Sequence, residues 1–314
     1  MTAATPLVSV VIPTRNRVPF LREAVASVLT QSLHGIELVV VDDASADGTW
    51  AWLEREQDDR LRPIRLDRHA ERSKARNRGL AAVRGDFVMF LDDDDRLRPQ
   101  ALERLASLLA ADSAAIAVVG ARWRFVEWGD AVRIPHPRRP ARRVIWPELL
   151  FGWSAGSGQV LYRTAVVRQV GGYREDLDRR EDRDLWLRVA RMGPVLLDPS
   201  VAVEYRVHLG QTPWPPEGEE LWERVLAPIM QSLTDEERSR ARRIRIAWRA
   251  SARAERAFWT ANYGQAIAWE LRAIRAAPSL YRSPLILRPR FVRLVRSARR
   301  LLGGPPPSGR MVER

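Results

Sequence analysis

Residues Gly85–Pro99 read GDFVMFLDDDDRLRP. Phe87–Leu91 is a short apolar run, aromatic and partly β-branched, and it predicts a buried strand. Four aspartates follow without a break, Asp92 to Asp95, and Pro99 ends the segment. Carboxylates this close repel one another and raise each other's pKa unless a cation neutralises them. Hard divalent cations such as Mn²⁺ or Mg²⁺ take oxygen ligands, and magnesium binds through one or two carboxylates plus substrate phosphates. Ligands of open α/β sheets lie at the carboxyl ends of strands. The stretch therefore reads either as a solvated acidic turn or as the seat of a metal and a diphosphate, and the surrounding chain decides between the two.

Upstream, Leu7–Ile12 (LVSVVI) and Ile36–Val41 (IELVVV) are continuous apolar, β-branched runs, the pattern of central parallel strands. Leu21, Ala24, Val25, Val28 and Leu29 recur at helical spacing between them. The second run is followed at once by Asp42-Asp43 and then Asp47-Gly48, turn chemistry before a helix at 50–57. A short strand is expected at 64–66 and a helix over 73–83, with Lys74, Arg76, Asn77 and Arg78 at its start. The rhythm is β-α-β-α-β-α-β with short connections, which predicts a doubly wound α/β sheet.

Downstream, a helix is expected over 99–111 and a strand at 116–120, then a hairpin or loop region over 122–145 whose portion 135–143 (PHPRRPARR) reads as a mobile loop. Strand character returns at 156–163. A helix at 164–170 ends at Gly171-Gly172, Glu181-Asp182 open a helix over 183–192, and two strands at 195–197 and 201–206 close the sheet. From Gln211 the character changes: PWPPEG (213–218) is a linker, and 219–277 is helical throughout, with Ala250, Ala254, Ala257 and Ala261 at packing positions and Gly264 between two helices. Residues 290–302 (RFVRLVRSARRLL) form a basic amphipathic helix. It suits either an anionic membrane surface or packing on the neighbouring helices.

Composition narrows the classes. With 46% hydrophobic residues in 314, a sizeable core is within reach and global disorder is excluded. The chain has no cysteine, so neither a disulfide framework nor a zinc-thiolate site exists. The start, MTAATPLVSVVIP, lacks the basic n-region of a signal peptide, and no run reaches the roughly 18 apolar residues of a membrane span. The expectation is a cytoplasmic protein, either soluble or peripheral at the inner face of the cell membrane. The net charge of +13, carried almost wholly by arginine, suits a polyanionic partner, whether nucleic acid, membrane or phosphorylated substrate; a general arginine bias explains it equally.

Four strings, VSVVIPTRNR, VVVDDAS, ARNRGLAAVRGDFVMFLDDDDRLRP and REDRDLWLRV, taken in this order and at these separations, resemble the large family 2 of glycosyltransferases. The likeness covers about residues 8–208. It implies the GT-A fold, a Rossmann-like mostly parallel central sheet with flanking helices, in a domain over 1–210, with 211–314 as an all-helical appendage. It implies a metal-dependent, inverting transfer of a sugar from a nucleoside diphosphate to a glycan or lipid-linked glycan of the cell envelope.

The resemblance also assigns roles. Pro13, Thr14 and Arg15 at the first strand end, with Asp42 and Asp43 at the second, would hold nucleobase and ribose. A carboxylate there accepts the N3–H of uracil or thymine, which favours UDP or TDP, although Ser45 or Asp47 could equally cap the next helix. Arg76 and Asn77 match nucleotide-side contacts, with Arg76 suited to a phosphate oxygen. The aspartates match the DXD motif. Asp94 would be the metal ligand, with Asp92 or Asp93 at the ribose or a metal-bound water, and since every position is aspartate the assignment among them stays open. Asp92 and Asp94 would project to one side if strand geometry persists. His208 matches a position facing diphosphate or metal. Asp182 would be the general base, its alternative being a simple helix-dipole role with Glu181. Trp153, Gly156, Ser157 and Glu181 are candidates for the acceptor pocket, an indole face suiting a sugar ring. Two other classes compete. One is a catalytically inactive module that binds nucleotide sugar or polyanion. The other is a nucleic-acid binder, disfavoured because the arginines sit beside apolar helix residues rather than stacking aromatics.

Overall fold

The computed structural model describes residues 7–126, 132–133, 141–143, 146–151, 155–208, 219–282 and 284–302. Trp153, the linker at 213–218 and the 135–140 part of the expected mobile loop lie outside them. The chain forms two compact units, one of Met1–Ile145 with Ser154–Thr212, the other of Trp146–Trp153 with Pro213–Arg314.

The first unit follows the order β1 (Val8–Thr14), α1 (Val18–Leu29), β2 (Ile36–Asp42), α2 (Thr49–Leu53), β3 (Leu61–Arg65), α3 (Glu71–Ala82), β4 (Phe87–Phe90), β5 (Arg96–Leu97), α4 (Ala101–Ala111), β6 (Ala117–Val126), β7 (Val132–Arg133), β8 (Ala141–Arg143), β9 (Val160–Arg163), α5 (Thr164–Gln169), α6 (Glu181–Val189) and β10 (Val195–Val207). One sheet runs β3-β2-β1-β4-β9-β6-β10-β5. The pairs β3–β2, β2–β1 and β1–β4 are parallel, as the apolar runs and helical crossovers predict. β9 lies antiparallel to both its neighbours, β4 and β6, which no local pattern announces.

β1 and β2 are buried along almost their whole length, because helices cover both faces of a parallel sheet. α3 comes so close to β1 that a Cβ at Gly79 would overlap the Val11 side chain, so this helix position admits only glycine. The two strands expected at 195–197 and 201–206 are one strand, β10, which carries register shifts against β6 between Leu197 and Val203. β5, a two-residue edge strand, is too short to be read from sequence.

Strand order reverses at β1, with β2 on one side and β4 on the other. This makes the carboxyl ends of β1, β2 and β4 the rim of a topological switch-point crevice.

The second unit contains a 3-10 turn at Glu148–Phe151, α7 (Glu219–Gln231), α8 (Asp235–Trp259), α9 (Tyr263–Ala276), a 3-10 turn at Pro278–Arg282 and α10 (Pro284–Leu301). α8 opens on a capping box, Thr234 with Glu237. Ala250, Ala254 and Ala257 are buried as expected, whereas Ala261 is exposed in the turn at φ 59°. Gly264 lies inside the first turn of α9 rather than between helices, because the Asn262 side chain caps that helix. A buried polar knot ties the helices: Tyr281 Oη donates to Glu270 at 2.8 Å, and Arg293 of α10 lies 3.5 Å from the same carboxylate. α10 thus has one face packed within its own unit. No described helix is long and apolar enough to cross a membrane.

Candidate active site

Strand geometry stops at Leu91, whose N–H still donates to the Val11 carbonyl. The chain then turns, with the Asp95 N–H donating to the Asp92 carbonyl at 3.1 Å. The aspartates therefore do not alternate as on a strand, and the turn sends them in different directions. Asp92 Oδ1 accepts from Arg76 at 2.6 Å. Asp93 accepts from Thr14 Oγ1 at 2.8 Å and Arg17 at 3.3 Å. Asp94 Oδ2 lies 2.9 Å from Arg17 and 3.1 Å from His208 Nε2. Asp95 Oδ1 accepts from the Arg206 backbone N–H at 2.9 Å.

The turn nonetheless brings a carboxylate oxygen from each of Asp92, Asp94 and Asp95 within 4.8 Å of the others. Buried Asp95 keeps one oxygen, Oδ2, with no hydrogen-bond donor. Its pKa is pushed well above the usual carboxylate range by burial and by the negative charges of Asp92 and Asp94. An orphaned buried oxygen among like charges is the donor set a hard divalent cation requires, so the residues fit one. The residues alone left the assignment among Asp92 to Asp95 open, with Asp94 favoured; the turn, set by tertiary pairing, gathers Asp95 with Asp92 and Asp94. Asp93, one of the two aspartates read at the ribose or a metal-bound water, accepts from Thr14 and Arg17.

Other expected residues are also engaged by the protein itself. Arg76 is buried, and its guanidinium bridges Asp92 and Glu181, the latter at 2.8 Å, while lying 5.1 Å from the Tyr173 ring centre. It clamps two carboxylates, and Glu181, read as an acceptor-pocket candidate, is its buried partner. Both ends of the Asn77 amide are used: it donates to the Tyr173 carbonyl and Glu175, and accepts from the Tyr173 N–H. This makes Asn77 a strap between α3 and the loop before α6. Asp42 caps the Ser45 N–H at 3.1 Å and lies 3.6 Å from Arg65. Asp43 accepts from the Ala70 N–H and faces His69 at 2.7 Å. Pro13 and Thr14 end β1 beside Asp42, and Arg15 is exposed just beyond.

Asp182 stands in the first turn of α6, facing a pocket lined by Phe90, Gly156, Ser157, Tyr162 and Tyr173. Gly158, at the left-handed φ of 73°, lets the loop turn tightly enough for its N–H to reach the Phe90 carbonyl at 2.6 Å. Burial and neighbouring Glu181 raise the Asp182 pKa to about 6 against the opposing pull of Arg76. For Asp92 burial also raises the value, but Arg76, Arg72 and the Ser157 hydroxyl outweigh it and the net shift is downward. Carboxylates thus sit a short way apart with pKa values driven in opposite directions, the pattern that separates a proton acceptor from a permanent anion. The aromatic walls Phe90, Tyr162 and Tyr173 were not anticipated. Each is an ordinary core residue by sequence pattern, and only β9 and the 155–158 loop assemble them around Asp182.

Comparison with known proteins agrees with this architecture. A glycosyltransferase described as uncharacterized from Rickettsia felis is 29% identical over 213 residues, which is 66% of this chain and 35% of that protein. The succinoglycan biosynthesis protein ExoO of Rhizobium meliloti is 36% identical over 144 residues, 43% of this chain and 41% of its own length. The chain thus spans well under two thirds of either relative. The crystal structure of S. aureus TarS 1-349 in complex with UDP-GlcNAc superposes with a TM-score of 0.66 over 95% of this chain and 92% of that one, at 19% identity, a likeness of fold. Residues 9–168 match the family model for glycosyl transferase family 2, a match that takes in both the Asp92–Asp95 turn and the first strand ends, and the chain belongs to that family.

Proposed function

We propose that the chain is a metal-dependent, inverting glycosyltransferase, with residues 1–210 carrying the chemistry, a UDP- or TDP-linked sugar as donor and a cell-envelope glycan or lipid-linked glycan as acceptor. The observation that supports it most is the pairing of the Asp92/Asp94/Asp95 cluster with the Asp182 pocket at one end of one sheet. A divalent cation held by those three aspartates would neutralise the departing diphosphate as a Lewis acid. Asp182 takes the proton of the acceptor hydroxyl as that oxygen attacks the anomeric carbon from the face opposite the leaving group, so a single displacement inverts it. Arg76 and Glu181 keep this corner rigid, and Phe90, Tyr162 and Tyr173 exclude water from it. His208, 3.1 Å from Asp94, orients that carboxylate.

Thermal unfolding with UDP, TDP, GDP or CDP, each with and without Mn²⁺, tests the donor site. Ligands that bind only the folded state raise its stability by mass action. UDP or TDP together with Mn²⁺ is expected to raise Tm, and Asp94→Ala to abolish the shift. No shift with any nucleotide would move the assignment to a module that binds something else.

The relative ExoO is a succinoglycan biosynthesis protein, and for this chain a membrane-borne acceptor is supported by α10. Phe291, Val292, Leu301 and Leu302 are exposed there beside exposed Arg296 and Arg299. Residues 213–314 hold 20 arginines against 10 acidic side chains, so most of the +13 lies in this last third of the chain. Apolar side chains flanked by arginine suit an anionic lipid surface. The full chain should co-sediment with vesicles containing phosphatidylglycerol and not with phosphatidylcholine alone. Phe291→Ser with Leu302→Ser should remove most of that binding, and a salt-insensitive or unchanged result would count against the membrane assignment.

A further inference from the structure

β6 runs on past Val119, where its pairing with β9 ends, and continues beside β10 to Val126. Successive side chains on that extension face opposite ways. On one face Trp123 and Phe125 are covered by arginines, Arg98 at 4.9 Å from the first ring and Arg96 and Arg206 at 4.6 and 4.9 Å from the second. All three are ion-paired, with Glu204 or Glu23. On the other face stand Arg122 and Arg124. Among the described residues neither makes a hydrogen bond or an ion pair, although Arg122 is half-buried and its guanidinium carbon lies 5.4 Å from the Tyr205 ring centre. A guanidinium nitrogen of Arg122 comes within 3.3 Å of where a Cβ on Gly156 would stand, and Gly156 lines the Asp182 pocket.

A half-buried guanidinium without a hydrogen-bond acceptor loses solvation that a ring contact and unbonded carboxylates only partly replace, which is uncommon in a unit where nearly every neighbouring arginine has a carboxylate. An anionic group arriving from outside would complete it, and a guanidinium binds phosphate or carboxylate oxygens through two parallel bonds. Two anions are available in principle, the diphosphate of the donor and a charged group on the acceptor. The sheet order separates them. The strand ends read as nucleotide-binding belong to β1 and β2, and β4 and β9 stand between them and β6. Arg122 therefore stands away from the strand ends read as holding base and ribose, and beside Gly156 of the Asp182 pocket.

We infer that Arg122, with Arg124 two residues on along the same face, forms an acceptor subsite for an anionic group, so that the acceptor is a glycan carrying phosphodiesters or carboxylates rather than a neutral one. This rests on the glycosyl-transfer reading given above. The charges of Asp95 and Asp182 reach Arg122 without bonding it, and they leave its hydrogen bonds open to the acceptor.

The test measures binding of three probes of matched length to the full chain by calorimetry, with and without UDP and Mn²⁺: a glycerol-phosphate oligomer, an oligogalacturonate and a malto-oligosaccharide. At least one anionic probe is expected to bind about tenfold more tightly than the neutral one and to weaken as salt rises. Arg122→Gln should lose about tenfold of that affinity, the usual scale for one charge-assisted contact. Arg122→Lys should retain part of it, and UDP affinity should stay within about twofold, which also shows that the variants are folded. Equal binding of neutral and anionic probes, or binding of none, overturns the subsite. So does an Arg122→Gln variant that weakens UDP while sparing the oligomers, which would place the arginine at the diphosphate. A variant that only tightens Mn²⁺ would make Arg122 a counter-charge to the aspartates, and that too overturns it. Failure of the donor reading is separately visible as absence of UDP binding to the unaltered protein.

Discussion

Asp182→Asn is expected to lower kcat by about 10²–10⁴, the range for loss of a positioned general base, while nucleotide binding stays nearly unchanged. The substitution keeps the shape of the side chain and removes only its capacity to take a proton. The pH profile carries a second signature. The Asp182 carboxyl is held at about 6 by burial and by Glu181, against Arg76. The groups that face it are Glu181 on the same helix, Arg76 from α3, Asp92 after β4, Tyr162 from β9, Tyr173 from the preceding loop and Arg122 from β6. Because the base must be ionised, the rate should fall tenfold per unit below about pH 6 and level off above it, and the Asn variant should lose this inflection.

Stability separates chemistry from folding. The folded-state pKa of Asp182 lies above its unfolded value of about 4, so its contribution favours the fold at low pH and is lost as pH rises through the window between about 4 and 6. At pH 7 the Asn variant should therefore unfold at a temperature no lower than the unaltered protein. A variant that keeps full turnover would remove Asp182 from the reaction.

The second large effect is structural. Arg76 is 4% exposed at its side chain and sits between Glu181, 5% exposed, and Asp92. Arg76→Ala leaves a buried carboxylate without its cation and opens the space against Tyr173. Breaking a buried pair from one side costs about 3–5 kcal/mol. At roughly 2–4 °C per kcal/mol for a unit of this size, Tm should drop by roughly 10 °C. Adding Glu181→Leu to Arg76→Leu removes the more deeply buried pair together and should recover part of the loss, since the cost lies in the orphaned charge rather than in the missing bond, while Asp92, a third exposed, keeps its charge toward solvent. A single Arg76→Ala variant within 2 °C (roughly one-half to one kcal/mol on the same scale) of the unaltered protein would show that solvent or another cation replaces the guanidinium. The same pair of variants reports on function, because a clamp that positions Asp92 and the start of α6 should lower kcat even where the fold survives.

Much of this was legible in the residues. Continuous β-branched runs mark β1, β2 and β4 because strands buried on both faces need no polar alternation, and the Asp-rich ends of β2 and β4 follow from where open sheets bind ligands. The period of α1 and α4 is equally plain, and the Thr234–Glu237 capping box at the start of α8, which the reading of 219–277 as helical throughout passed over, is a signal of the same local kind. Such features are local: each depends on neighbours a few positions away, and the sequence by itself determined them.

The partners of the charged side chains were decided elsewhere. Arg76 carries the same guanidinium whether it meets a phosphate or a protein carboxylate. Only the packing of α3 against β1, close enough to require Gly79, brings it between Asp92 and Glu181, 105 positions from the latter. The grouping of Asp92, Asp94 and Asp95 depends on a turn at 92–95 whose shape is set by Thr14, Arg17 and the Arg206 backbone, contributed by β1, the loop after it and β10. The antiparallel insertion of β9, which builds the aromatic wall around Asp182, has no local sign because pairing direction is a choice between distant strands. The sequence determined which elements form and that acidic residues crowd one end of the sheet. The tertiary structure alone decided which carboxylates cluster and which pair with arginine, because electrostatic partnership is fixed by distance in space and by exclusion of water.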